Sequence, residues 1–269
     1  GVGEVVVYTC SPSSPPKKTQ TRRLHSSCVT CIATSERYEG LVDVRLITGG
    51  ADGCVKIWKL LLTQSTLLDR QVRLSNAPLP CLPVAVLNSH VSPVICLSVC
   101  MPIDLLVDGS ADGRITVHRM STSEHVKTIR CPSKLRMEVV RIIENGLLLA
   151  YSRQDNLLRA YALAGDEIAS FSFGSSVMTC LTASSCGNYV FAGESTGNIR
   201  ILEVPFLSEL QTLSPTNSTG RVDFIVLSPC NNYLLCGYRS GHVELVTDKG
   251  QLLDQKKKAL EDLGIYGLL

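Results

Sequence analysis

His25, Thr48 and Asp52 carry the side chains of a general base, a nucleophile and an orienting carboxylate. In a hydrolytic site the imidazole takes the hydroxyl proton, and the carboxylate fixes the imidazole tautomer. These three residues, however, fall at fixed places in a pattern that recurs along the chain: before one apolar strand, within the next, and in the turn that follows. Polar residues that recur at the same positions within a repeated sheet usually have a structural role and not a catalytic one. The sequence therefore predicts no catalytic residue here.

Metal and phosphate chemistry are equally poorly supported. Cys28 and Cys31 form a C-x-x-C, but no second C-x-x-C or H-x-x-x-H follows at a suitable spacing. Asp108 and Asp112 flank a turn without a third carboxylate to complete a metal site or a glycosidase pair. The glycine-rich run 49–53 joins two predicted strands and opens no helix, so it lacks the geometry that cradles phosphate. We expect no metal, no cofactor and no enzyme activity.

The element that holds these residues is a repeat. An apolar run, a tight turn and an alternating strand recur five times with a period of roughly forty residues, and the first interval is longer than the others. A small sheet of this period cannot bury both of its faces until neighbouring sheets stack against it. The sequence therefore predicts an all-β propeller with five full four-stranded blades. The turn residues are Gly53, Gly113, Asn156, Gly197 and Gly241.

The strands of each blade are named a to d, from the propeller axis outward. A further c and d pair is predicted at 3–8 and 19–24, so the chain is expected to begin in mid-blade, with an intact ring of six or seven blades. The propeller is expected to span 1–254, with a flexible Pro/Ser/Lys loop at 11–18 and a tail at 255–269. The predicted strands of the five full blades are 29–34, 46–49, 55–60 and 67–74; 94–99, 105–108, 115–120 and 125–129; 139–143, 147–151, 157–163 and 167–171; 177–182, 189–192, 199–204 and 209–213; and 222–228, 233–236, 243–247 and 251–254.

Composition limits the class of partner. Hydrophobic residues make up 45% of the chain and charged residues 19%, which suits one packed domain. A net charge of +2 gives no field for a nucleic acid. No apolar run approaches the roughly 20 residues that cross a bilayer, so no direct membrane insertion is expected.

Among the 12 cysteines, Cys31, Cys96 and Cys180 recur as small apolar residues on strand a. Unpaired thiols indicate a reducing compartment, and therefore the cytoplasm.

The units resemble WD40 repeats. The first unit holds the full set of polar residues associated with that family: His25, Thr48, Asp52 and Trp58. A turn carboxylate can accept from an imidazole whose other nitrogen reaches a hydroxyl, which in turn meets an indole N–H. The resemblance thus implies a polar network that stabilises the blade.

The later units depart from this set. His90 and Asp112 repeat part of it in the second unit, where Asp108 stands at the hydroxyl position and His118 replaces the tryptophan. The third unit keeps only Asp155. These departures are expected to weaken individual blades without changing the fold, because the alternating apolar pattern and the turn residues persist.

A narrower resemblance covers roughly residues 90–250. The segments 94–118, 147–173 and 189–204 are similar to the carboxy-terminal WD40 propeller of BEACH-domain proteins, the neurobeachin and lysosomal-trafficking-regulator family. There the propeller follows a PH-like and a BEACH domain, and the proteins act as scaffolds in vesicle trafficking. The resemblance implies a non-catalytic scaffold that binds proteins and other domains of the same longer chain, with any membrane contact made through those domains. The alternative is a WD40 substrate-recognition or assembly subunit of another complex, such as a ubiquitin ligase.

A propeller without chemistry recognises partners through loops held on a rigid framework. The natural surface is the top face, made by the d-to-a loops and the b-to-c turns. Arg153, Glu194 and Arg239 occupy those turns and are the candidate partner-binding residues. Each also suits an ordinary solvated charge, although arginine is enriched at protein contacts.

Overall fold

Antiparallel β-strands form the regular structure of the protein. The computed structural model describes residues 3–11, 14–35, 44–60, 62–64, 72–74, 82–131, 134–215, 220–228 and 231–247. The strands up to residue 142 are β1 (Glu4–Ser11), β2 (Ser14–Arg23), β3 (Val29–Thr34), β4 (Val44–Gly50), β5 (Val55–Leu60), β6 (Leu62–Gln64), β7 (Val72–Leu74), β8 (Ala85–Leu87), β9 (Val94–Cys100), β10 (Leu105–Ser110), β11 (Arg114–Arg119), β12 (His125–Arg130) and β13 (Val139–Ile142). The later strands are β14 (Leu148–Ser152), β15 (Leu157–Tyr161), β16 (Glu167–Ser172), β17 (Met178–Ala183), β18 (Tyr189–Glu194), β19 (Ile199–Glu203), β20 (Ser208–Leu213), β21 (Val222–Leu227), β22 (Tyr233–Tyr238) and β23 (Val243–Thr247).

These strands form the stacked sheets of a β-propeller, and the predicted fold class is confirmed. Blade 1 has the order β3-β4-β5-β8, blade 2 β9-β10-β11-β12, blade 3 β13-β14-β15-β16 and blade 4 β17-β18-β19-β20. Blade 5 has the described order β21-β22-β23. Its predicted outer strand at 251–254 and the tail at 255–269 lie outside the described residues.

The outer strand of blade 1 differs from the prediction. The sequence predicts it at 67–74, but β7 in that range pairs with β6 in a separate two-stranded sheet. β8 pairs with β5 instead, in the register Val55↔Leu87 to Ile57↔Ala85. The prediction is wrong because the β6–β7 hairpin is inserted between strands c and d. This inserted hairpin accounts for the longer first repeat interval in the sequence.

β1 and β2 form the predicted half-blade, with β1 as strand c and β2 as strand d. The Gly3 carbonyl accepts the His25 N–H at 3.2 Å, just as the Gly53 carbonyl accepts the His90 N–H at 3.3 Å. The predicted loop over 11–18 is wrong at residue 11 and at 14–18, because β1 extends to Ser11 and β2 begins at Ser14, while residues 12 and 13 lie outside the described residues. The register of β1 and β2 shifts between Thr9 and Ser11, opposite the prolines of β2, and such a bulge is one of the places where a sheet accepts proline.

The described residues divide into two compact units, 1–142 and 143–269. In unit 1 the core lies between blades 1 and 2 and includes Ile47, Ile57, Val94 and Leu106, all fully buried. On the other face of blade 1, Trp58 packs with residues of the half-blade. In unit 2 the equivalent core lies between blades 4 and 5 and contains Ile199, Val222, Ile225, Leu234, Cys236 and Tyr238.

The recurring cysteines pack as predicted. Cys31 on strand a lies opposite Gly49 on strand b. A Cβ atom at Gly49 would lie 2.5 Å from the Cys31 Sγ and 2.8 Å from Val94 of the next blade, so only glycine leaves room for the thiol. Burial raises the pKa of the Cys31 thiol to about 11, which keeps it protonated and unreactive. The thiol is therefore a packing group.

Candidate functional site

The polar set of blade 1 forms one continuous network. His25 lies in the loop before β3, and its Nδ1 contacts the Asp52 carboxylate at 3.0 and 3.1 Å. Its Nε2 lies 2.8 Å from the Thr48 Oγ1, which accepts from the Trp58 Nε1 at 3.0 Å. Because an indole N–H only donates, the hydroxyl donates to Nε2, and Nδ1–H donates to the carboxylate. The sequence predicts this arrangement of these four residues.

The network is built for stability and leaves no reactive group exposed. The Thr48 side chain is fully buried, so its hydroxyl cannot meet a substrate. Burial alone would raise the pKa of Asp52, but hydrogen bonds from His25, Ser26 and the Cys54 N–H outweigh it and lower the pKa. The carboxylate therefore stays ionised and holds the turn between β4 and β5.

Blade 2 rearranges the network around Asp108. The His90 Nε2 lies 2.6 Å from the Asp108 Oδ2, and the Thr116 Oγ1 donates to the same oxygen at 2.5 Å. The His90 Nδ1 lies 4.0 Å from Asp112, so the expected hydrogen bond between that pair is not formed. Asp112 instead accepts the Arg114 N–H at 3.1 Å. Asp108 stands where blade 1 has the Thr48 hydroxyl, and a carboxylate is a stronger hydrogen-bond acceptor than a hydroxyl. The His90 imidazole therefore bonds to Asp108.

His118 sits between a serine and this carboxylate, but the three do not form a catalytic relay. The Ser89 Oγ lies 2.9 Å from the His118 Nε2, and the Asp108 Oδ1 approaches the same nitrogen at 3.6 Å. A relay needs the serine and the carboxylate on different nitrogens of the imidazole. The His118 Nδ1 is buried and has no hydrogen-bond partner among the described residues. Burial also lowers the pKa of His118, against the pull of Asp108.

Blades 3 to 5 carry a different polar network that the sequence analysis missed. In blade 3, Arg159 pairs with Asp155 and lies 3.6 Å from Glu167. In blade 5, the Tyr238 hydroxyl donates to the buried Glu244 carboxylate at 2.9 Å. Each network is centred on the second or third residue of strand c. The sequence signal is a polar residue three positions after each turn residue: Lys56, Thr116, Arg159, Arg200 and Glu244.

Glu194 belongs to one of these networks and not to a binding surface. Its side chain is 1% exposed and pairs with the Arg200 Nε, while the Arg200 Nη1 donates to Glu209 at 2.8 Å. The Arg200 guanidinium also lies 5.8 Å from the centre of the Phe171 ring. The prediction of Glu194 as a partner-binding residue is therefore wrong, because Arg200 draws the carboxylate into the sheet.

Arg153 and Arg239 are exposed in the turns between strands b and c, where the sequence places them. The Arg239 N–H donates at 2.9 Å to the carbonyl of Arg221, just before strand a of the same blade. The equivalent turns in blades 1, 2 and 4 make the same contact, and Ala51, for example, donates to Cys28 at 2.8 Å. This recurring backbone bond fixes each of these four turns and the loop before strand a at one edge of the sheet.

The described residues offer little for other chemistry. Among them, no group of three or more His, Cys, Asp or Glu side chains could hold a metal ion. Nine of the described cysteines, including Cys28 and Cys31, form no disulfide. No helix in the described ranges is long and apolar enough to span a bilayer.

Sheets that stack face to face, four of them with the turn between strands b and c held against the loop before strand a, define a β-propeller of the WD40 type. A family model described as the neurobeachin beta propeller domain matches residues 15–214. The chain belongs to this neurobeachin β-propeller family, as the narrower resemblance predicts.

Curated relatives carry the same family name or a related one. The chain is 23% identical over 232 residues to BEACH domain-containing protein B of Arabidopsis thaliana, covering 82% of this chain and 8% of that protein. It is 26% identical over 226 residues to a putative neurobeachin homolog of Caenorhabditis elegans, covering 81% of this chain and 8% of the homolog. The chain thus spans a small part of these relatives. A chain in the crystal structure of a mitotic checkpoint complex aligns with a TM-score of 0.65 at 17% identity, over 92% of this chain and 71% of that one, which shows the fold alone.

Proposed function

We propose that this propeller is a non-catalytic protein-interaction scaffold of a BEACH-type protein in membrane trafficking. The observation that carries the proposal is the exposure of Arg153 and Arg239 in the turns between strands b and c, the second of which is fixed by the recurring backbone bond. Arginine suits such a surface because its planar guanidinium binds carboxylates in two places and stacks on aromatic rings. Membership of the neurobeachin propeller family favours trafficking over the ubiquitin-ligase alternative.

Its partners are proteins and other domains of the same longer chain. Cytoplasmic location is part of the proposal, with membranes reached through other domains. Nine cysteines of the described residues form no disulfide, which suits that compartment.

The test is capture of partners by the purified chain and by the double variant Arg153→Glu/Arg239→Glu. We expect the wild-type chain to enrich vesicle-coat or sorting proteins and the double variant to lose them. Glu144→Arg is the control, because Glu144 is exposed in the turn between β13 and β14, at the opposite edge of the sheet. Equal capture by the double variant would refute the binding surface. Enrichment of ubiquitin-ligase subunits would refute the trafficking role.

A further inference from the structure

Two arginines face each other at one end of blade 2. Arg114 is the first residue of β11, and its cross-strand partner is Arg130, the last residue of β12. Both residues are exposed. Cross-strand partners lie on the same face of a sheet, and like charges directly opposite each other are unfavourable. The pair is therefore not explained by the stability of the blade.

The same position holds neutral residues in other blades. In blade 1 the residue after the turn is Cys54, whose thiol donates to the Asn88 side chain at 3.1 Å. In blade 3 the residue after the turn is Leu157, and its cross-strand partner is Ser172. The fold of a blade thus does not require charge at this position.

Nearby acidic groups leave most of this charge in place. The Asp112 carboxylate accepts the Arg114 N–H at 3.1 Å, and its Oδ2 lies 3.7 Å from the Arg114 Nε. Within the part of the chain that the structure describes, no acidic side chain forms an ion pair with Arg130. One carboxylate therefore stands beside two guanidinium groups.

A third cation lies at the same end of the sheet. The Cys131 N–H, next to Arg130, donates to the Gly113 carbonyl at 3.0 Å. A Cβ atom at Gly113 would lie 2.7 Å from the Lys134 Cα, so the Lys134 backbone packs against the residue that precedes Arg114. Lys134 is exposed as well. We refer to Arg114, Arg130 and Lys134 as the basic corner.

The charge of the basic corner indicates the kind of ligand. Three cations and the Asp112 carboxylate leave an excess of two positive charges. A phosphorylated serine or threonine carries a charge of about −1.5 to −2 at neutral pH, whereas a glutamate side chain carries half of that or little more. Guanidinium groups also bind phosphate oxygens in pairs, through two parallel N–H donors. A phosphoryl group therefore matches this corner better than a single carboxylate does.

We propose that the basic corner binds a phosphorylated serine or threonine of a partner protein. Arg114 and Arg130 bind the phosphate oxygens, and Lys134 adds a further positive charge. A protein is the favoured source of the phosphate, because membrane-binding basic segments commonly hold roughly four to eight cations. The corner adjoins a turn between strands b and c, but it shares no residue with the proposed partner surface at Arg153 and Arg239. Each site can therefore fail without the other.

The test uses a fluorescein-labelled peptide of glycine and alanine with one central phosphoserine, and fluorescence anisotropy measures its binding to the full chain. We expect the matching glutamate and unphosphorylated peptides to bind more weakly. Arg130→Gln should weaken binding of the phosphopeptide by about tenfold, because it removes charge-assisted hydrogen bonds. Lys134→Gln should also weaken binding. Arg119→Gln is the control and should bind as the wild type does, because Arg119 is exposed at the opposite end of β11.

Circular dichroism confirms that each variant is folded, and Lys134→Gln carries the test if Arg130→Gln unfolds. No binding of the phosphopeptide overturns the proposal, as does equal binding of the glutamate peptide or equal binding by the Arg130 variant. Two further probes separate the sources of phosphate. Inorganic phosphate that binds as tightly as the peptide would assign the corner to the free ion. Vesicles with a phosphorylated inositol lipid that bind the wild type but not Arg130→Gln would assign it to a membrane, and either result would overturn the proposal.

Discussion

Thr48 joins the two halves of the blade 1 network, because its hydroxyl donates to His25 and accepts from Trp58. Thr48→Val keeps the shape of the side chain and leaves both partners buried without a hydrogen bond, at about 1–3 kcal/mol for each. Thr48→Ser keeps the hydroxyl and loses one methyl group, at about 1 kcal/mol. We expect the valine variant to lower the free energy of unfolding in urea by more than the serine variant does.

The opposite order would contradict the network, because it would mean that the methyl group matters more than the hydroxyl. Both substitutions are conservative in volume. The comparison therefore separates hydrogen bonding from packing at one position.

Asp52 predicts a pH dependence. Its pKa is lowered in the folded chain, since hydrogen bonds from His25, Ser26 and Cys54 outweigh the effect of burial. A lowered folded pKa contributes stability that is present above the unfolded pKa of about 4 and is lost as pH falls through the folded pKa. The gap in unfolding free energy between wild type and Asp52→Asn should therefore be larger at pH 7 than at pH 3. A gap that stays constant would show that the carboxylate charge contributes nothing.

At the scale of the element, the turn glycines set the blade geometry. Gly53 has a φ of +77°, and a Cβ there would lie 2.3 Å from the His90 carbonyl oxygen. Gly174 has a φ of +63° with no atom within 4 Å of its added Cβ. Gly174→Ala should cost about 1–2 kcal/mol for the left-handed backbone alone, and Gly53→Ala clearly more because of the added clash. Differential scanning calorimetry of the two variants measures the difference, and equal losses would argue against a close approach at Gly53.

Most strands could be predicted from the sequence because alternating apolar residues and turn residues repeat with the blade. β3, β5 and β23 match their predicted bounds. The outer strand of blade 1 could not be placed in this way, because the inserted hairpin supplies a second apolar segment that looks like a strand d. Pairing between distant segments decides which one joins the sheet, because the short apolar segment of β8 does not differ locally from that of the hairpin.

Only part of the candidate site could be predicted from the sequence. The hydrogen-bond chain from Trp58 to Asp52 is predictable because each donor and acceptor has one chemical role. The burial of Glu194 is not, because it depends on Arg200, which lies across the turn on strand c. A charged residue in a turn looks solvated until its partner on the neighbouring strand is known.

At the scale of the whole molecule, the sheets repeat one pattern of strands and the turns between strands b and c differ in sequence. The recurring backbone bond between the turn and the loop before strand a holds Arg239 in place in blade 5. The polar networks differ from blade to blade, yet the sheets and their packing persist. We therefore expect the sheets to supply stability, and the proposed function places recognition in the exposed turns.

Amide hydrogen exchange of the chain bound to a captured partner tests this assignment most directly. We predict that binding slows exchange in the turns around Arg153 and Arg239 while the outer strands β16 and β20 exchange as in the free chain. Slowed exchange confined to β16 and β20, with both turns unchanged, would contradict the account.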